Sequence, residues 1–310
     1  MDLRQLKIFC AVADHGSFTA AAEAVHTVQS NVTMRVKELE AELGQPLFIR
    51  RRSGVMPTAA GEIFLGYARR ILQLTEESRA ALQDDGRPTG PLRLGAMETT
   101  AAIRLPRLLG TYRARHPEVR MSLTTGTTAE LIRAVEAHQL DGAFIGGRHQ
   151  HPALVQDALF DEELALISTS DITSRDALLD TLPDQTVFVF RAGCFYRSTL
   201  ESWFHQAGLV PGQIMEMGTL DGILSCVASG MGITLLPASV ARQSRLADAL
   251  HCHALPAGVA TVTTVFIRRR DTPPGAALKA FMALARATFQ PSPLRPPQPS
   301  PPPDRASSHA

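Results

Sequence analysis

Val32, Val36, Leu39 and Leu43 lie four, three and four positions apart, the spacing that puts apolar residues on one face of an α-helix. The pattern predicts a helix over 29–43, ended by Gly44. At about 100° per residue, Ser30, Thr33, Met34 and Lys37 point away from that face. Before it, Thr19–Val25 is Ala-rich and helical, with Ser17 or Thr19 able to accept hydrogen bonds from the free amides of its first turn. His26-Thr27-Val28 breaks the two helices. Leu3, Leu6, Phe9, Cys10 and Ala13 repeat at helical spacing and predict a first helix over 2–14, with Cys10 packed as a small hydrophobe. A short helix, a tight turn and a longer helix with a polar leading half is the helix-turn-helix arrangement, although any helical hairpin shares the periodicity. Pro46-Leu47-Phe48-Ile49 returns apolar residues toward the core, and Arg50-Arg51-Arg52-Ser53-Gly54 forms a basic tip with a glycine turn. A cationic loop beside a polar helix face suits the phosphates that flank a DNA groove.

Pro57-Thr58 opens a longer helix on which Ala60, Phe64, Tyr67, Ile71, Leu74, Ser78 and Ala81 form a heptad seam. Such a seam needs cover, from a second copy of the chain or from its own domain. The stretch from Asp84 to Pro91 reads as an interdomain linker. From Leu92 the pattern alternates. Strands are expected at 92–95, 119–124, 141–145, 164–167, 187–190, 214–217, 232–237 and 261–267. Helices are expected at 101–115, 129–139, 196–207, 220–229 and 276–289. That alternation implies two α/β lobes in series on a mainly parallel sheet, with a crevice between them.

Composition changes this picture little. The 310 residues are 45% hydrophobic and 20% charged, with net charge +1, so an argument for nucleic acid rests on local placement rather than on overall charge. Lys7, Lys37 and Lys279 are the lysines; arginine carries the remaining positive charge. No apolar run suggests a signal peptide or a membrane span, and a cytoplasmic protein is expected. Cys10, Cys194, Cys226 and Cys252 lack metal-knuckle spacing, and neither a metal nor a cofactor is expected. The stretch from Pro291 to Ala310 is dominated by proline and serine and is expected to be disordered.

Several strings, in order, carry a family resemblance. They are Gly16-Ser17-Phe18-Thr19-Ala20-Ala21-Ala22, Gln29-Ser30-Asn31-Val32-Thr33, Leu39-Glu40-Ala41-Glu42-Leu43-Gly44, Pro46-Leu47-Phe48 and Thr58-Ala59-Ala60-Gly61. Together they resemble the amino-terminal domain of LysR-type transcriptional regulators, and the likeness runs on weakly to about residue 270. The string from Cys226 to Pro237 resembles that family's effector domain. Gly193–Arg197 and Gly218–Asp221 look like its YofA/SoxR-like branch. The resemblance implies a winged helix-turn-helix at 1–58, a linker and dimerisation helix at 59–86, an interdomain linker at 87–91, a two-lobed α/β effector domain of periplasmic-binding-protein type at 92–289, and a tail at 290–310. It implies a homodimer or homotetramer on promoter DNA, a small-molecule effector, and RNA polymerase as a further partner.

Candidate sites follow. Gln29, Ser30, Asn31, Thr33 and Met34 would face a major groove, with Arg35, Lys37, Arg50, Arg51 and Arg52 nearer phosphates. Met34 stands where the family often has arginine, which points to a thymine methyl in place of guanine. Phe64, Tyr67, Ile71 and Leu74 would join two copies. Parallel strands put their carboxyl ends and the following helix starts at a ligand crevice, where free amides and hydroxyls favour anionic groups. This selects Thr99, Thr100, Thr127, Thr128, Gly146, Gly147, Cys194, Phe195, Tyr196, Gly218 and Thr219. Thr100 is the leading residue, because the resemblance implies a Ser or Thr near it. Glu98 is unusual company for an anion and suits a cationic group.

Other classes find less in the sequence. Catalytic motifs are missing: no Walker loop, G-x-S-x-G elbow, H-E-x-x-H or full dinucleotide fingerprint. Cys194, at a helix start where the dipole lowers a thiol pKa, suggests a redox-sensing regulator as an alternative. His251-Cys252-His253 offers two imidazoles, short of a metal site. An architectural DNA-binding protein without a ligand would not need two further lobes.

Overall fold

The computed structural model describes residues 1–51, 54–82, 86–170, 185–256 and 258–289. The expected tail and the tip residues Arg52 and Ser53 lie outside them. Helices α1 (Leu3–His15), α2 (Phe18–Ala24) and α3 (Gln29–Leu43) pack with a hairpin of β1 (Phe48–Arg51) and β2 (Gly54–Pro57). Asp2 caps α1 through a reciprocal box with Gln5, and Ser17 Oγ accepts from the Ala20 amide to start α2. Gly44 ends α3 at φ 66, a left-handed conformation that glycine adopts without a Cβ clash.

The stripe predicted on α3 is buried at Val32, Val36 and Leu39. Leu43 is not: at 38% exposure it sits beyond the core in the last turn. Ile49 is likewise exposed, because side chains alternate along β1 and Phe48 takes the inward side, while Leu47 is buried just before the strand. Burying a side chain such as Leu39 or Phe9 contributes about 1.5–3 kcal/mol, and these small clusters are what hold α3 in place. Glu40 of α3 accepts from the amides of Leu47 and Phe48 at 2.7 and 3.2 Å, tying the hairpin to the helix. The Val55 amide donates to the Gly16 carbonyl at 2.8 Å, tying the hairpin to the turn between α1 and α2.

Thr58 caps α4 (Ala59–Leu82), its Oγ1 accepting from the Gly61 amide at 2.9 Å. A Cβ on Gly61 would collide with the Leu47 carbonyl oxygen, so only glycine lets α4 pass this close to the hairpin.

The second region begins with β3 (Gly90–Ala96), whose first residues fall in the stretch that reads as linker. It continues with α5 (Glu98–Ile103), α6 (Leu105–Arg115), β4 (Val119–Thr125), α7 (Thr128–Glu136), β5 (Gly142–Gly146) and β6 (Leu154–Ser168). After these come β7 (Thr186–Val189), α8 (Phe195–Ala207), β8 (Gln213–Glu216), α9 (Leu220–Ala228), β9 (Gly232–Pro237), α10 (Ala238–Gln243), β10 (His251–Ala254), β11 (Thr261–Arg269) and α11 (Ala276–Thr288).

Strand order is β4-β3-β5-β11-β6-β9-β7-β8, with β10 on β6. Parallel pairs lie in both wings, β4-β3-β5 and β9-β7-β8, but β11 and β6 join them antiparallel. The expected mainly parallel sheet is thus a mixed one. The lobes are not simply in series either. Strand β6, about 50 Å long at ~3.3 Å per residue, pairs with β11 over Leu154–Glu163 and with β9 over Leu164–Ile167. Strand β11 and helix α11 then return to the first lobe, where Phe281 stacks edge-on against Tyr112 at 5.3 Å and Phe144 at 6.1 Å.

Candidate DNA interface and interlobe crevice

Helix α3 buries one face and turns Gln29, Ser30, Met34 and Lys37 to solvent, with Thr33 half-buried beside them. Together with Glu38 and Ala41 these residues line one shallow open groove. Met34 is 48% exposed, an apolar tip on a polar surface. Val28 precedes α3, and no side chain caps its first amides. Sequence reading missed this feature, which Val in place of Ser, Thr, Asp or Asn before Gln29 signals.

Two of the predicted contacts are already engaged within the protein. Asn31 Nδ2 donates to Thr27 Oγ1 at 2.9 Å, bracing the turn between α2 and α3. Arg35 pairs with Glu38 at 3.3 Å and is half-buried. Arg51 is exposed at the hairpin end; the side chain of Arg50 and the whole of Arg52 lie outside the described residues.

On α4 the predicted seam divides. Tyr67 and Leu74 are 61% and 52% exposed, whereas Phe64 and Ile71 lean on the core of α1, α3 and the hairpin. Ile63, at 67% exposure, joins the outward stripe instead of Phe64. The reason is rotational: Leu65 and Ala68 fix which side of α4 meets α1, and that turns the heptad line partly inward. Helix α4 also meets the second region through Arg70, whose guanidinium lies 3.7 Å from Asp271.

Between the lobes the predicted residues converge, yet few are free. Helix α5 starts at Glu98, earlier than expected, and ends at Ile103; only Arg104 lies between it and α6, whose second residue, Pro106, lacks the amide that would carry α5 onward. Thr99 and Thr100 therefore sit inside a helix and are buried. Thr99 Oγ1 is 3.0 Å from the Tyr196 hydroxyl of α8. That hydroxyl also donates to Glu162 Oε2 at 3.5 Å, and Arg104 Nε donates to Glu162 Oε1 at 3.1 Å. The chain links α5, β6 and α8, and so joins the two lobes. Burial pushes the Glu162 carboxyl up, and the Arg104 charge and the two hydrogen bonds pull it back. Burial likewise holds the Tyr196 phenol well above its ordinary range. The Oγ1 of Thr100 is buried and has no hydrogen-bond partner among the described residues.

The remaining candidates carry structural duties. Thr127 and Glu130 form a capping box on α7. The Thr128 hydroxyl lies 3.7 Å from Met97 Sδ. Gly146 lies within β5, and the Phe195 ring packs where a Cβ on Gly146 or Gly147 would stand. Thr219 Oγ1 accepts from the Gly222 amide at 3.2 Å to cap α9, and Gly218 and Thr219 are exposed. The Leu220 amide, first of that helix, donates at 2.8 Å to Oε1 of Glu98.

Cys194 contradicts the expectation of an activated thiol. It is 7% exposed, and burial pushes its thiol up despite the opposing amides of Arg197 and Tyr196. The metal reading of His251 and His253 also weakens: His253 is buried with Nε2 2.8 Å from Ser168 Oγ, while His251 is exposed. Among the described residues no group of three or more His, Cys, Asp or Glu is placed to hold a metal. Among them too, no helix is long and apolar enough to cross a membrane.

A small helical unit with an exposed polar helix, joined by a long helix to two α/β lobes, has the layout of a DNA-binding regulator with a separate second domain. Comparison with known proteins makes the class specific. Residues 3–62 match the bacterial regulatory helix-turn-helix protein model of the lysR family, and residues 85–290 match the LysR substrate binding domain. The chain belongs to the LysR family of DNA-binding transcriptional regulators. It is 40% identical over 290 residues to the HTH-type transcriptional regulator GltR of Bacillus subtilis strain 168, covering 94% of this chain and 98% of that one. It is 43% identical over 282 residues to the regulator CzcR of Bacillus anthracis, covering 91% and 96%. Its fold is similar to full-length CbnR, a LysR family transcriptional regulator, with TM-score 0.65, 28% identity and coverage of 94% and 100%. It is also similar to CbnR complexed with its target DNA, with TM-score 0.64, 28% identity and coverage of 93% and 100%.

Proposed function

We propose that this regulator reads DNA with the outward face of α3 and reports a small molecule held between its two lobes. Gln29, Ser30, Thr33 and Met34 contact base edges in a major groove. Lys37, Arg51 and the uncapped first amides of α3 contact phosphates, which position the helix without reading sequence. The observation that carries this reading is the single exposed face of α3, held at a fixed angle by Glu40 and the hairpin. Ile63, Tyr67 and Leu74 join two copies through α4, so that two α3 helices meet a site of dyad symmetry. A tetramer then follows from pairing of dimers.

The effector enters the crevice at Thr100, whose buried hydroxyl awaits a partner. Binding changes the angle between the lobes, and thereby the spacing of the α3 pair and the response of RNA polymerase. A ligand can do this only by binding one lobe arrangement more tightly than another, by about 1–3 kcal/mol in typical cases. The cell compartment that fits this role is the cytoplasm. The redox alternative through Cys194 has the buried, pushed-up thiol against it.

The test is fluorescence anisotropy of the full-length protein on the DNA upstream of its own gene, at low ionic strength, with a panel of metabolites. Saturable binding that one metabolite alters supports the reading. Absence of binding with Gln29 and Arg51 intact overturns it.

A further inference from the structure

The start of α9 is where parallel-strand topology would seat an anionic ligand. In this protein a carboxylate of the chain itself is already there. Oε1 of Glu98, from the first turn of α5, accepts from the Leu220 amide at 2.8 Å. The next free positions on this nine-residue helix are no better for an anion: Thr219 Oγ1 takes the Gly222 amide, and Asp221 adds a negative charge in the first turn. The contact is not isolated. Within one residue of Glu98, Thr99 reaches Tyr196 of α8 at 3.0 Å, so adjacent residues of α5 bind two different helices of the other lobe. Nearby arginines are matched to carboxylates: Arg104 to Glu162 at 3.1 Å, and Arg197 to Glu201 and Glu216 at 2.8 and 2.7 Å.

We propose that Glu98 is a specificity-determining residue of the crevice: its carboxylate occupies the α9 amide as a tethered ligand, so the crevice excludes free carboxylates there and takes ligands that present a cationic or neutral donor group to Glu98. This deepens the reading of the crevice as the effector site and rests on it. The physical reason is simple. A free anion would have to displace a carboxylate that pays no translational entropy to bind, and would then lie against the displaced charge of Glu98 and the charge of Asp221.

The experiment is chemical rescue in the full-length protein, using sodium propionate as the probe, sodium chloride as the ionic-strength control and propylammonium chloride as the cationic control. Glu98→Ala removes the carboxylate and lowers the melting temperature by about 2–4 °C, the shift of one lost interaction in a domain of this size. Propionate then restores that loss saturably at millimolar concentration, whereas chloride and propylammonium do not. The wild-type protein shows no saturable response to propionate, and neither does Glu98→Gln, whose amide oxygen still accepts from Leu220. Equal propionate responses in wild type and Glu98→Ala, or none in a folded Glu98→Ala protein, would overturn the proposal. Should Glu98→Ala fail to fold, amide hydrogen exchange at Leu220 in the wild type decides: protection beyond that of an open helix start supports the contact, and exchange at the open rate overturns it. No effector is present in these assays, so failure to find a metabolite for the crevice leaves their result standing. Conversely, a metabolite found by screening does not rescue a failed propionate test.

Discussion

Replacing Arg104 by Met should destabilise the two-lobed region by about 2–3 kcal/mol, and the loss should shrink as the pH falls. Glu162 is 4% exposed and depends on Arg104 Nε at 3.1 Å and on the Tyr196 hydroxyl at 3.5 Å. An ion pair at about 4 Å is worth roughly 4 kcal/mol at an effective dielectric constant near 20, and breaking a buried pair costs about 3–5 kcal/mol. The Arg104 side chain is 33% exposed, so solvent screens part of that. With Met in its place, a buried carboxylate faces no cation and its pKa rises further. The folded state then holds the Glu162 proton at a pH where the unfolded chain has lost it. Acid therefore favours the folded variant, and the gap to wild type narrows as pH falls through the raised folded pKa and toward the unfolded one. Urea unfolding of the full-length protein at several pH values, followed by the single tryptophan, Trp203 on α8, measures this. The double variant Arg104→Met, Glu162→Leu should recover much of the loss, since an apolar pair leaves no orphaned charge. A cost for Arg104→Met below about 0.5 kcal/mol, or one that does not vary with pH, would refute the reasoning.

His138 gives a second test by pH. Burial, with Arg269, Arg70 and Arg93 around it and Asp271 opposing, lowers its pKa from 6.5 to about 4. The unfolded chain thus takes the proton first, so this contribution is complete above 6.5 and is lost on going down to about 4. His138→Asn removes the titration and keeps a residue that tolerates φ 58; across that window wild type should lose roughly 3 kcal/mol more than the variant, read from melting curves. Gly61→Ala, with its Cβ driven into the Leu47 carbonyl, should cost at least about 2 kcal/mol in the helical unit; a neutral result in thermal unfolding would show that α4 can move off the hairpin. Arg51→Ala should weaken binding to all DNA sequences alike and lower the salt slope by about 1; loss confined to one base position in a binding titration would place Arg51 on a base.

The amino-terminal helices were legible because each buries a single stripe of its own, and Ser17 and Gly44 mark their ends. Leu43 misled because periodicity does not say where the neighbouring core stops. The first half of β6 was invisible for a different reason. Val155-Gln156-Asp157-Ala158 and Asp161-Glu162-Glu163 carry charges along a crossing strand, and the register shift opposite Thr264 and Val265 breaks its alternation. The return of β11 and α11 to the first lobe is a long-range pairing that no local pattern carries. Between the lobes, residue types select Thr99 and Tyr196, whose hydroxyls the fold brings within 3.0 Å, and mark Glu98 as unusual company for an anion. That its carboxylate reaches Leu220 depends on how the lobes close, which spacing cannot encode.

The central claim, that the outward face of α3 reads base sequence, is tested most directly by selecting binding sites from a random DNA pool with full-length wild type and with Met34→Arg. Met34 is 48% exposed, so the substitution leaves the fold intact. The account predicts dyad-symmetric sites that differ at one position per half-site, thymine giving way to guanine with a change of about 1–3 kcal/mol. Identical sites from both proteins, or no enrichment by either, would contradict it.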